Sequence, residues 1–205
     1  MSKRSGAATI RCVELTPELW SAVETLFGAN GACGGCWCMW WRVERGGRLW
    51  DETKGAKAKS RFRTLVKSGE ARGILAFERD LPVGWCAFGP RTEFPRLETV
   101  KAYRREDRAE VWSINCFFIA RAHRGKGVAR ALLQAAVSAC RSNGARILEG
   151  YPVTTTKDGR TMAAAFAWTG PLKIFEEEGF EVIQASPPTK PLMRRSLRGT
   201  RKGSS

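Results

Sequence analysis

The chain has 205 residues, 43% of them hydrophobic and eight of them tryptophan, which suits one packed domain and excludes a disordered chain. Its net charge of +15 favours anionic partners: a phosphorylated cofactor, an acidic substrate or a nucleic acid. No run of eighteen apolar residues occurs, so no membrane-spanning helix is expected. The basic start MSKRSGAATIRC lacks the apolar stretch of a secretory signal. The expected location is therefore cytoplasmic, where seven cysteines, an odd number, remain thiols rather than a disulfide framework.

In chain order, residues 1–7 read as an unstructured start and TIRCVEL (9–15) alternates as a first strand. Thr16 and Pro17 signal a helix start, and Leu19, Trp20, Val23, Leu26 and Phe27 form its apolar face. Gly28 and Asn30 end that helix and lead into GACGGCWCMWW (31–41), which holds three of the seven cysteines and three of the eight tryptophans. A second helix is expected over 54–68, buried through Ala58, Phe62, Leu65 and Val66. RGILAFER and VGWCAFG follow as two strands joined at DLPVG. The polar, proline-broken stretch to Glu110 reads as loop with some helix, and VWSINCFFIA (111–120) as a central strand covered on both faces.

RAHRGKGVARALLQAAVSACRSNGA is a glycine turn running directly into a helix that Gly144 stops. RILEGYPV is the next strand, TGPLKIFEEEGF a short helix, and FEVIQA and KPLMRRSL close the sheet. Residues 199–205 read as a basic, unstructured tail. The basic runs at 54–67 and at the C-terminus read first as solvated faces.

At the turn, Gly125 and Gly127 let backbone N–H groups approach a ligand, and the helix dipole behind them favours a pyrophosphate. Arg124 and Lys126 add charge. The spacing fits neither G-x-x-x-x-G-K-[ST] nor G-x-G-x-x-G, which disfavours a nucleoside triphosphatase and a dinucleotide fold. FFIARAHRGKGVARALL resembles the acetyl-CoA-binding motif of the GNAT superfamily of N-acyltransferases, with Arg124, Gly127 and Ala129 at the defining positions. IFEEEGF resembles the family's later short helix, and the likeness covers about residues 8–197 of a domain spanning 8–198.

That resemblance implies a single α/β (α+β) domain: a mixed, mostly antiparallel sheet of six to seven strands, splayed between the fourth and fifth, with helices on both faces. It implies acetyl-CoA as co-substrate, held by Phe118, Ile119, Arg124, Gly125, Lys126, Gly127, Val128 and Ala129. It also implies acetyl transfer to a primary amine by direct attack, on a small molecule or a peptide. The sequence departs from the family at Arg121, where proline is frequent, and at Phe175, where many members carry a proton-donating tyrosine.

Amine acylation needs a neutral amine, a polarised carbonyl and a departing thiolate. Glu149 is the expected base and Tyr151 the expected acid, two residues apart on one strand face. Ser113 and Asn115 are expected to share a face of the neighbouring strand, with Asn115 counted in the catalytic set. The alternative is that Glu149 pairs with an arginine and Tyr151 packs the core edge. His123, the single histidine, is expected to meet cofactor or solvent.

Cys33, Cys36 and Cys38 supply three thiolates where structural zinc takes four ligands, so no metal is expected. The segment is read as a wall of the acceptor site built from Cys36, Trp37, Cys38 and Trp40, with core packing expected for at least two of Trp37, Trp40 and Trp41. Two other readings stay open at this point. One is a nucleic-acid-binding module using the basic surface, although no recognised motif supports it. The other is a CoA-binding sensor without catalysis, which Phe175 favours. The acceptor is not named by the sequence, and the oligomeric state, a homodimer included, is left open.

Overall fold

A computed structural model describes residues 9–44, 48–107, 109–154 and 168–197. The expected unstructured ends, 1–7 and 199–205, lie outside them. Seven strands form one sheet in the order β1-β2-β3-β4-β5-β7-β6. They are β1 (Ile10–Glu14), β2 (Arg72–Glu78), β3 (Leu81–Pro90), β4 (Val111–Ile119), β5 (Ile147–Gly150), β6 (Glu181–Gln184) and β7 (Leu192–Ser196). Only β4 and β5 pair in parallel; the other pairs are antiparallel. The connection between β4 and β5 is the long helix α4 (Val128–Ser142), as a parallel pair requires.

Strand alternation divides the core into two layers. Ile74, Ala76, Cys86 and Ile114 pack against Leu132, Leu133, Ala136 and Val137 of α4, and α5 (Leu172–Glu177) adds Ile174 and Phe175. On the opposite face, Leu75, Phe77, Trp85 and Ala87 meet Val23 and Phe27 of α1 (Trp20–Phe27) and Ala58, Phe62 and Val66 of α3 (Ala56–Lys67). A smaller cluster of Trp41, Phe94, Leu97, Tyr103, Tyr151 and Leu192 closes one end of the sheet. Among the described residues, no helix is long and apolar enough to cross a membrane.

Local differences from the sequence reading have physical causes. Thr16 makes no side-chain cap; Pro17–Leu19 forms a 3-10 turn, and α1 begins at Trp20. An extra helix, α2 (Arg48–Thr53), precedes α3. The hairpin turns at Arg79 and Asp80, so only the first residue of the expected DLPVG turn lies in it and β3 already begins at Leu81, with Arg79 at a φ of 56°. The segment before β4 winds into three short 3-10 turns: Arg91–Glu93, Pro95–Thr99 and Lys101–Tyr103. β5 ends at Gly150, where a Cβ would lie 2.2 Å from Cε1 of Phe175, so the ring of α5 presses directly on the backbone.

Two features open the sheet between β4 and β5. Their pairing runs only from Val111↔Ile147 to Ile114↔Gly150, while β4 continues to Ile119. Beside that end, a bulge shifts the β3–β4 register between Ala87↔Cys116 and Phe88↔Ile114, leaving Asn115 without a partner residue. The bulge reverses the phase of the strand. Ile114 lies in the α4 layer, whereas Cys116 and Phe118 pack with the α1–α3 layer and Phe117 with α4.

Candidate active site

Past Ile114, the uncovered edge of β4 takes two contacts from distant places and one from the turn that follows it. Trp41 Nε1 donates to the Asn115 carbonyl at 2.7 Å. The Phe117 N–H donates to the Trp168 carbonyl at 2.6 Å. Arg124 Nε donates to the Ile119 carbonyl at 3.1 Å.

A cleft of about 680 Å³ runs from this edge to the start of α4, lined by Phe118, Ile119, Arg124, Gly125, Gly127, Val128 and Ala129 of the expected cofactor set. Lys126 is not among its lining residues. Gly125 and Gly127 have φ of 73° and 81°, and Gly127 caps α4 without any side-chain hydrogen bond. The turn therefore folds in a backbone region that favours glycine and leaves first-turn N–H groups for a ligand. No neighbour lies within 4 Å of a Cβ built at either position, so the space over the turn is open. His123 Nε2 pairs with Glu78 Oε2 at 3.2 Å on the rim.

A second cavity of about 260 Å³ adjoins the cleft, and Ala32, Cys33, Phe117, Phe118 and Trp168 line both. Of the expected acceptor wall, Cys36, Cys38 and Trp40 line this cavity, as does Trp41. Trp37 does not. It is buried in the core, 6.1 Å from Trp20 and 5.6 Å from Phe27 between ring centroids. Trp50, Trp85, Cys116 and Trp168 are walls that the sequence reading missed.

The cysteine segment is conformationally strained: Trp37 and Cys38 have φ of 44° and 57°, a region that side chains rarely adopt. That bend delivers Cys38 Sγ to Trp85 Nε1, which donates to it at 3.2 Å. A hydrogen bond from Cys116, with help from Trp85 and Arg42, holds the Cys38 thiol below its ordinary range against desolvation. The same hydrogen bond, together with burial, pushes Cys116 well up. Burial also pushes Cys36 up to about 12. Among the described residues, no three His, Cys, Asp or Glu side chains cluster closely enough to hold a metal ion.

Glu149 and Tyr151 lie elsewhere. Neither lines the cleft or the cavity, and both are fully buried. Glu149 Oε2 accepts from Arg91 Nη1 and from the Tyr151 hydroxyl, the latter at 2.7 Å. Its Oε1 accepts from Arg194 Nε and Nη2 at 2.8 and 2.6 Å. Tyr151 in turn accepts from Arg91 at 3.0 Å and meets Ser113 Oγ at 3.1 Å. Glu98 and Asp107 complete the ion pairs of the two arginines. Burial, and then the charge of Glu149, raise the Tyr151 phenol well above its ordinary range. The carboxylate expected as a free base thus has both oxygens occupied, and the ring of Trp41, which lines the cavity, packs on Tyr151 with centroids 6.2 Å apart.

Asn115 is 1% exposed and lines neither space, and its Nδ2 finds no partner among the described residues. Ser113 Oγ meets the Tyr151 hydroxyl, and the bulge falls at Asn115 itself, between the pairs Phe88↔Ile114 and Ala87↔Cys116. Phe175 is fully buried and lines neither space.

A parallel strand pair that separates after four residues, a glycine turn feeding a helix at its open edge, and an adjoining apolar cavity together place the chain in the acetyltransferase class of folds. The sequence model of the Acetyltransferase (GNAT) family matches residues 37–167, and the chain belongs to that family. Solved structures share the fold. A GCN5-related N-acetyltransferase from Kribbella flavida aligns with a TM-score of 0.53 at 22% identity, over 92% of this chain and 98% of that one. The GNAT domain of the S. lividans PAT protein aligns at 0.54 and 14%, over 92% and 90%. The paia N-acetyltransferase from Thermoplasma acidophilum, solved with coenzyme A, aligns at 0.50 and 14%, over 92% and 99%. No curated protein sequence matches the chain.

Proposed function

We propose that this protein transfers the acetyl group of acetyl-CoA directly to an amine. The observation that carries this reading is the shared wall: the cleft at the turn and the apolar cavity meet at Phe117, Phe118 and Trp168, beside the bulge where the sheet opens. The cofactor's pyrophosphate would sit on the N–H groups at Gly125–Ala129, its thioester would reach the bulge, and the amine would enter from the cavity. Asn115 Nδ2, a buried donor without a partner among the described residues, sits at the bulge behind the lining residues Cys116 and Phe117 and is our candidate to polarise the carbonyl as charge develops there. The acetyl-CoA complex of a Salmonella typhimurium relative of the same fold supports the choice of cofactor.

Glu149 and Tyr151 then act by position. Their network ties β5 to β7 through Arg194 and to the Arg91–Glu93 turn through Arg91, and it supports the ring of Trp41 from behind. The proton lost by the amine leaves with the thiolate, whose ordinary pKa of about 8.5 makes it a fair leaving group without a tyrosine at position 175.

Calorimetry with acetyl-CoA tests the reading. Gly127→Val introduces a β-branched side chain at a φ of 81° in the open space over the turn, and should abolish measurable binding. Arg124→Ala should cost about 1–3 kcal/mol, one charge-assisted contact. Unchanged affinity in a folded Gly127→Val protein would sink the assignment.

A further inference from the structure

We propose that the acceptor is an aromatic amine, a flat ring carrying an amino group that is uncharged at neutral pH. This rests on the acetyl-transfer reading and narrows it. The cavity next to the cofactor cleft is walled mainly by rings: Trp40 and Trp50 meet edge-on at 5.0 Å, and Trp41 and Trp168 tilt together at 5.3 Å. Cysteine sulfurs fill the gaps, and sulfur packs well against ring edges. Such a space suits a planar apolar guest.

Charge decides between a neutral guest and a cationic one. None of the described lining residues is Asp, Glu, Lys, Arg or His. The titratable side chains among them are thiols, and Cys38, the one shifted downward, is already engaged by Trp85 and Cys116, so no described carboxylate of the wall pairs with an ammonium. The indole N–H groups of Trp41 and Trp85 are already committed, to the Asn115 carbonyl and to Cys38 Sγ. Cation–π attraction is also pre-empted. Arg96 lies 3.4 Å from the centroid of Trp40 and Lys190 lies 4.3 Å from that of Trp168, so protein cations already draw on those rings. A second positive charge inside the cavity would be repelled by both.

The chemistry agrees. An aliphatic amine is an ammonium at neutral pH and must lose a proton before it attacks, yet the carboxylate of Glu149 is saturated by two arginines. The nitrogen of an aromatic amine keeps its lone pair at neutral pH. It attacks the acetyl carbon, the C–N bond forms, the C–S bond breaks, and the N–H proton passes to the CoA thiolate. The products are an N-aryl acetamide and CoA thiol.

The test compares 4-methylaniline with benzylamine, which keeps the ring but carries an ammonium, and with putrescine, which has no ring. Two readouts are needed: CoA thiol release, and tryptophan fluorescence titration of the protein with each amine alone. At neutral pH, 4-methylaniline should exceed benzylamine in kcat/KM by roughly 10²-fold, the size of the base catalysis that the cavity does not supply. Its rate should be flat across neutral pH, whereas that of benzylamine should climb about tenfold per unit. Trp50→Leu, in a partly exposed wall residue outside the cofactor cleft, should raise the KM for 4-methylaniline several-fold while sparing acetyl-CoA affinity. Preference for benzylamine or putrescine overturns the proposal. Should no amine accept acetyl, the transfer reading fails, and the titrations still decide this inference: tighter binding of the ammonium than of 4-methylaniline overturns it.

Discussion

The indole of Trp41 donates to the carbonyl of Asn115 at 2.7 Å, tying the cysteine–tryptophan segment to the bulge in β4. One hydrogen bond thus joins the wall of the cavity to the point where the sheet opens. Trp41→Phe keeps the ring and removes the N–H, leaving a buried carbonyl unsatisfied. We expect a loss of about 1–3 kcal/mol in urea unfolding. Acceptor KM should rise more than acetyl-CoA affinity falls.

The Glu149 network predicts a structural phenotype. Glu149→Gln removes the negative partner of the buried Arg91 guanidinium and of the partly exposed Arg194, and breaking one side of the buried pair costs about 3–5 kcal/mol. Denaturant midpoints should drop accordingly. A variant with native stability and kcat reduced by about 10²–10⁴ would instead restore Glu149 as the base.

Phe175 marks the departure from the family pattern, and Phe175→Tyr is the natural reversal. The ring is fully buried against Phe117, Phe180 and the backbone of Gly150. A hydroxyl added there has no open cavity to enter. Stability should fall by about 1–3 kcal/mol for a buried, unpartnered hydroxyl, with no gain in kcat. A clear rise in kcat would show that the hydroxyl reaches the leaving sulfur.

Alkaline pH should weaken the fold. Burial raises Cys36 from 9.0 to about 12 and Tyr103 from 10.0 to about 12. Both groups ionise in the unfolded chain before they ionise in the folded one. Their contribution is therefore fully present below pH 9.0 and is lost as pH rises toward about 12. Thermal melts across this window should show a falling Tm, and Cys36→Ala should remove part of the slope. A flat profile would contradict the burial of both groups.

What was legible in the sequence was mostly local. The turn at 124–129 and α4 follow from glycine positions and apolar periodicity, and both stand as expected. The face shared by Glu149 and Tyr151 follows from strand alternation. Their arginine partners lie 58 and 45 residues away from Glu149, and no local pattern points to them. Cys38 is joined to Trp85 across 47 residues, so Trp85 and Cys116 were hidden from the cavity wall for the same reason. The bulge at Asn115 defeats alternation itself, because one inserted residue sends everything beyond it to the other face. Trp37 and Trp40 are three residues apart and equally aromatic, yet one is core and the other wall. The positive φ at Trp37 and Cys38 makes that division, and composition does not encode it.

Ala32, Cys33, Phe117, Phe118 and Trp168 face two spaces at once, so molecules in the cleft and in the cavity would touch across a common partition. The two occupancies are then thermodynamically linked. Whatever factor a bound cofactor applies to the affinity of the acceptor, the acceptor must apply equally to the cofactor. Binding constants measured for either alone describe a different equilibrium from the one that governs turnover, and their mismatch measures how strongly the partition couples the two sites.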